Sequence, residues 1–302
     1  MKIAVLMGGN SSEHDISLTT GEAVTRTLLK MGHEAIACPY EKNISEVSPL
    51  LQEAELVFNA LHGGEGEDGT IQQFLEGNNI CYTGSGPEAS VLAMDKHQTK
   101  ALLKKNHILT PSWLHLKLNE NDNVDYSDEK FTFPVVVKPN GEGSTLGFSL
   151  VEKTFDLDEA ITFATQFDSR ILVEEYIPGR EITVAILHDE ALPIVEIKPS
   201  HNFYDYTCKY TPGMSQYICP ADLNTNLTEE IQKVSLQIFQ LLGCRHYARV
   251  DFRLNPENKF YCLEVNTLPG MTGTSLVPKA AEAAGLTFSK LISEIINMAI
   301  ND

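Results

Sequence analysis

The stretch "VVVKPNGEGSTLGF", residues 135–148, ends a β-branched run in a lysine and follows it with three glycines around two hydroxyls. Lys138 supplies a fixed positive charge. Gly141, Gly143 and Gly147 let backbone N–H groups come close to an anion, and Ser144 and Thr145 add hydroxyl donors. This set suits phosphate. Its order excludes a P-loop, in which the lysine closes the glycine run, precedes Ser or Thr and opens a helix. Here "FSLV" follows the glycines and reads as another strand, so a strand–loop–strand unit must hold the phosphate.

A second constellation lies in "YARVDFRLNPENKFYCLEVN", which reads as a β-hairpin turning at residues 255–258. Side chains alternate faces along a strand, so Arg249, Asp251 and Arg253 share one face, and Glu264 and Asn266 share a face on the return strand. With a four-residue turn, Leu254 pairs with Lys259, Arg249 lies opposite Glu264, and Asp251 lies diagonal to it. Asp251, Glu264 and Asn266 then converge, on condition that the register holds. One reading is a solvated face with a cross-strand Arg–Glu pair. The other is a hard-oxygen set for Mg²⁺ held together with phosphate oxygens. Beside a lysine–glycine phosphate loop, the metal reading is favoured.

The elements that must position these residues follow from the chain order. "KIAVLM", "EAIACPY" and "AELVFNAL" read as strands, with helices from Ser17 to Met31 and from about Thr70 to Glu76. Strands alternating with helices predict a small Rossmann-like parallel-sheet domain, with ligand groups at the strand carboxyl ends. Glu13, His14 and His62 fall there. Glu13 reads equally as a carboxylate favoured by a helix end. "MGGNSS" lacks the GxGxxG spacing, which argues against a dinucleotide site. "GPEASVLAMDKHQTKALLKKN" is helical, with a domain boundary in its middle. An α+β block of strand pairs follows. "NFYDYTCKYTPGMSQYICPADL" has no clean period and reads as a functional loop or lid over residues 204–220. "NLTEEIQKVSLQIFQLLG" is a helix, with Asn226 and Glu229 as its capping box. A last helix runs from about Ser289 to Ala299.

The bulk numbers agree with a globular enzyme. At 302 residues the chain has room for two or three domains. A net charge of -18 excludes a basic field for nucleic acid or anionic membrane. No run approaches the ~18 apolar residues of a membrane span. The start reads as a strand rather than a signal peptide. Six scattered cysteines, without a CxxC pair, read as free thiols in a reducing cytoplasm.

Together "GGNSSEHDISL", "LHGGEGEDGTIQ", "MDKHQTK", "VVVKPNGEGSTLG", "KYTPGMSQYICPA", "RVDF" and "LEVNTLPGMTGTSLVP" resemble the D-alanine–D-alanine ligase family of the ATP-grasp superfamily. The resemblance runs in order from near residue 3 to near residue 298. It implies an α/β ATP-grasp fold: a Rossmann-like N-terminal domain over residues 1–93 and two α+β domains, 94–181 and 182–302, that grip ATP. It implies that Lys96 and Lys138 contact phosphates, and that Glu174, Tyr176, Ile177 and Glu181 hold adenine and ribose. Asp251, Glu264 and Asn266 would ligate two Mg²⁺ or Mn²⁺ ions. Glu13 would bind the first D-alanine, with His62 near it and Ser144 and Tyr210 hydrogen-bonded to it. Lys209, Arg249 and the Gly270 N–H would stabilise developing charge, and Ser275 and Leu276 would hold the second D-alanine. The implied reaction is ATP-dependent joining of two D-alanines through an acylphosphate, for peptidoglycan precursor synthesis, by a cytoplasmic homodimer. His14-Asp15 and Gly141 depart from the Arg-Glu and Arg of some members. The runners-up are a D-alanine–D-lactate ligase, another ATP-grasp carboxylate–amine ligase and a non-catalytic nucleotide-binding module.

Overall fold

The computed structural model describes residues 1–118, 132–199 and 213–302. The first strand, β1 (Lys2–Gly8), is apolar without alternation and buried along almost its whole length. Such a run needs cover on both faces, as in a parallel sheet. It lies between β2 (Glu34–Tyr40) and β3 (Leu56–Asn59), parallel to both. Helix α1 (His14–Lys30) connects β1 to β2, and α2 (Ser48–Gln52) and α3 (Thr70–Gly77) follow. α1 begins three residues earlier than its sequence periodicity suggests, so Glu13 stands at its N-terminus.

The expected single helical stretch is two helices, α4 (Pro87–Met94) and α5 (Lys96–Lys105). Asp95 breaks the run with extended backbone and caps α5 by accepting from the Gln98 N–H at 3.0 Å. A second sheet has the order β4-β7-β5-β6 and is antiparallel throughout. It comprises β4 (Trp113–Lys117), β5 (Val135–Pro139), β6 (Ser149–Val151) and β7 (Arg170–Glu175), backed by α6 (Leu157–Ala164).

A third sheet contains β8 (Arg180–Leu187), β9 (Glu190–Ala191), β10 (Val195–Pro199), β11 (Ser215–Ile218), β12 (Tyr247–Leu254) and β13 (Phe260–Asn266). Arg180 and Glu181 already pair within this sheet, so the expected 181/182 boundary falls inside β8. Where residues 204–220 read as irregular, 215–218 is an edge strand paired with β10. Helix α7 (Thr225–Leu241) is capped by Asn224, whose side chain accepts from the Leu227 N–H at 3.0 Å. Asn226, the expected cap, lies inside the first turn. α8 (Leu276–Ala283) and α9 (Phe288–Asn301) close the chain. One continuous core joins β1, β3 and α1 to α8, α9 and the third sheet, so the N-terminal sheet and the C-terminal helices are packed as one body.

Candidate active site

The hairpin β12–β13 brings the acidic residues together by a route that differs from the expected one. Leu254 pairs with Phe260 rather than Lys259, and a shift between Asp251 and Phe252 sets Asp251 opposite Glu264 and Arg249 opposite Asn266. The longer turn alone would place Glu264 on the wrong face. A bulge at Leu263 adds one residue and restores the parity, so the expected convergence survives a wrong register. Arg249 grips Asp251 with two bonds, Nε to Oδ1 at 2.8 Å and Nη2 to Oδ2 at 2.7 Å. The Thr183 hydroxyl also donates to Asp251 Oδ1. Asn266 Oδ1 accepts from the Leu268 N–H at 3.1 Å.

Among the described residues no group of three or more His, Cys, Asp and Glu has metal-holding geometry. Two carboxylates and an amide on one strand-pair face are nevertheless a fitting oxygen donor set for a hard divalent cation that completes its shell with phosphate oxygens and water.

Across from this face stands the lysine–glycine unit. Lys138 and Glu174 lie diagonally on neighbouring strands β5 and β7, with Nζ 3.0 Å from Oε2. The other Glu174 oxygen lies 3.1 Å from Lys100 Nζ. Burial works against charge at all three groups. At Glu174 the two lysines outweigh it and hold the carboxyl below the usual range. At Lys138 the carboxylates of Glu174 and Glu264 outweigh it and hold the ammonium above its usual value. At Lys100 burial prevails and pushes the pKa down.

Lys96, at the start of α5, donates to the Glu142 carbonyl at 2.7 Å and lies 3.5 Å from Glu264. Burial raises the Glu142 carboxyl despite Lys96 beside it. The loop is braced at its base by Asp168, which accepts from the Gly141 N–H at 3.0 Å. At its tip Ser144 and Thr145 take left-handed backbone, φ 49° and 63°. The Ser144 hydroxyl donates to the Glu13 carboxylate. Glu13 therefore ties the N-terminal unit to the phosphate loop. Such a carboxylate facing the loop also argues against a dinucleotide pyrophosphate at this helix start.

His62 ends the apolar run after β3. Its Nε2 bonds the Thr20 hydroxyl at 2.9 Å, and its Nδ1 faces Glu67 at 3.8 Å. Ser275, just before α8, bonds Thr272 through its hydroxyl at 2.8 Å, and Gly270 lies against it.

Two cavities result. One of about 310 Å³ is walled by Glu13, His62, Arg249, Gly270, Ser275 and Leu276. The other is a slot between the second and third sheets, lined by Lys138, Glu174, Tyr176, Ile177, Glu181 and Leu263. Lys96, Gly143 and Glu264 line both, so the cavities meet there. Arg253 secures the Tyr176–Glu181 wall, donating to the carbonyls of Ile177 at 3.0 Å and Gly179 at 2.9 Å. Lys209 and Tyr210 lie outside the described residues, as does the part of the expected lid from 204 to 212.

Sequence reasoning missed Lys100, Arg253 and Thr183. Lys100 had a signal, since it lies four residues after Lys96 and so on the same helix face. Thr183 had none, and for Arg253 only its strand face was legible, because their partners are backbone carbonyls and side chains fixed only by strand pairing.

Comparison with known proteins gives the family. The family model for the D-Ala D-Ala ligase N-terminus matches residues 39–85, and that for the C-terminus matches residues 102–297. The D-alanine–D-alanine ligase of Aquifex aeolicus is 45% identical over 300 residues, covering 98% of this chain and 100% of the relative. That of Hydrogenovibrio crunogenus is 42% identical, covering 99% and 95%. The crystal structure of D-alanine–D-alanine ligase from Bacillus anthracis complexed with ATP superposes with TM-score 0.87 at 36% identity, covering 100% of this chain and 98% of that one. With both family models matched in order and near-complete coverage of its relatives, the chain belongs to the D-alanine–D-alanine ligase family.

Proposed function

We infer that the protein joins two D-alanine molecules to D-alanyl-D-alanine, converting ATP to ADP and phosphate, in the synthesis of peptidoglycan precursors. The observation that carries this is the meeting of a slot between two sheets with a polar cavity at Lys96, Gly143 and Glu264. A phosphoryl group at that junction is within reach of a carboxylate in the cavity.

In this reading adenine and ribose lie against Glu174, Tyr176, Ile177 and Glu181, and Lys96 and Lys138 face the phosphates. Glu13 pairs with the ammonium group of the first D-alanine, beside His62. The carboxylate oxygen of that D-alanine attacks the γ-phosphorus, ADP leaves, and an acylphosphate forms. The amine of the second D-alanine, held by its carboxylate at Ser275 and the N-terminus of α8, attacks the acyl carbon. A proton leaves the amine, the oxyanion collapses to the amide carbonyl, and inorganic phosphate departs with the oxygen that bridged it to the acyl carbon. Arg249 and the Gly270 N–H stabilise the tetrahedral oxyanion, together with Lys209. Asp251, Glu264 and Asn266 would hold two Mg²⁺ or Mn²⁺ ions, which when bound neutralise phosphate charge. The protein acts as a cytoplasmic homodimer of three domains, with the first boundary near 93 and the second just before β8 (Arg180–Leu187). No single described helix is long and apolar enough to cross a membrane.

A hydroxyl nucleophile is not favoured, because the high-coverage relatives are named as dipeptide-forming ligases. The test is phosphate release from Mg·ATP with D-alanine alone, and with D-alanine plus D-lactate. D-Alanine-dependent release with D-alanyl-D-alanine as the main product is expected. No dependence on D-alanine would overturn the assignment.

A further inference from the structure

Lys100 is a fully buried lysine that the reaction above leaves without a task. An ammonium at that depth is costly unless it is paired and hydrogen-bonded. Its Nζ donates to the Thr110 hydroxyl at 2.8 Å, lies 3.1 Å from Glu174 Oε1 and sits 5.3 Å from the centre of the Trp113 ring. Glu174 in turn lies 3.0 Å from Lys138. Glu264, whose charge reaches Lys138, lies 3.5 Å from Lys96. The charges alternate in a row: Lys100, Glu174, Lys138, Glu264, Lys96.

The row has a consequence for phosphate. A lone buried Glu174 would cancel the charge of Lys138, the residue that faces the nucleotide. With Lys100 on the other carboxylate oxygen, the trio Lys100–Glu174–Lys138 keeps one net positive charge. We propose that Lys100 is a positioning residue which, by occupying Glu174, keeps Lys138 oriented and electrostatically available to the nucleotide phosphates. The proposal rests on the nucleotide reading of the slot. Lys100 reaches no substrate itself; it acts through Glu174. It differs from a simple brace between α5 and the second sheet, which would support the whole slot, adenine end included.

The experiment compares ADP with adenosine, which lacks phosphates, by calorimetry in the presence of Mg²⁺, on the full chain. Lys100→Met leaves Glu174 and Lys138 with no net charge. ADP affinity should then fall on the order of tenfold more than adenosine affinity, which reports any shift of Glu174 at the adenine end. Lys100→Met/Glu174→Gln returns the trio to one net positive charge and should recover most of the ADP-to-adenosine affinity ratio. Parallel weakening of ADP and adenosine, unchanged ADP binding, or a double variant whose ratio stays low would overturn the proposal. Thermal melting verifies folding. If the single variant does not fold, the double variant, which leaves no unpaired buried carboxylate, still gives the ratio. Neither measurement needs D-alanine. A protein that binds ADP as described but shows no D-alanine-dependent phosphate release would overturn the ligase reading and leave this one standing.

Discussion

Glu13 is held by glycines as much as by hydrogen bonds. A Cβ on Gly63 would lie 2.7 Å from Glu13 Oε2, and one on Gly143 would lie 3.2 Å from the same oxygen. Gly63 also has φ 64°, a left-handed conformation in which other residues are strained. Gly63→Ala should therefore displace the Glu13 carboxylate from the cavity at a stability cost of about 1 kcal/mol. The expected outcome is a KM for the first D-alanine raised about tenfold or more, with ADP affinity unchanged, since Gly63 lines no part of the slot. Steady-state kinetics beside ADP calorimetry check this. An unchanged KM would mean that the carboxylate does not meet the substrate.

The hairpin β12–β13 works as an element because two irregularities cancel. Its turn is one residue longer than the four-residue turn expected from its sequence, and the bulge at Leu263 adds another, so Glu264 again shares a face with Asp251. Glu257, in contrast, sits exposed in the turn, where its N–H donates to Asn255 Oδ1 at 3.1 Å. Glu264→Gln should raise the Mg²⁺ concentration for half-maximal activity by an order of magnitude or more, since it removes one anionic oxygen ligand. Glu257→Gln should leave that concentration where it is. Metal titrations of phosphate release separate the two, and equal shifts would mean that the face assignment is wrong.

At the scale of the molecule, His246 links the N-terminal unit to the third sheet. Its Nδ1 accepts from the Gly84 N–H at 3.0 Å, and its Nε2 lies 3.2 Å from Asp302. The ring is buried, and the charged groups facing it are Arg245, Asp302 and His188. Burial and then Arg245 lower its pKa below the ordinary 6.5, against the opposing pull of Asp302. A histidine with a depressed folded pKa takes up its proton first in the unfolded chain. Its contribution is fully present above about pH 6.5 and shrinks as pH falls through that value towards the folded pKa. Wild type should therefore lose more stability than His246→Gln between about pH 7 and pH 5. Melting curves over that range check this, and parallel losses would exclude His246 as the cause.

Much of the site was legible in the residues themselves. Residues 135–148 stand out as a candidate phosphate loop by local chemistry alone, because a lysine, glycines and hydroxyls close in sequence need no tertiary contact to be noticed. The face shared by Asp251, Glu264 and Asn266 was read from strand parity, and the motif order along nearly the whole chain pointed to the family. Local rules failed where partners compete. Asn224 rather than Asn226 caps α7 because the helix starts two residues earlier than the capping-box spacing suggests. The hairpin register depended on a turn and a bulge whose lengths are decided by packing of Phe252, Cys262 and Val265 in the core. Only the tertiary structure could show that Glu174 stands between two lysines, or that two cavities join at Lys96, Gly143 and Glu264. These residues come from separate helices, strands and loops, and their distances are set by how three sheets pack. Sequence spacing carries no information about that packing once residues lie on different elements.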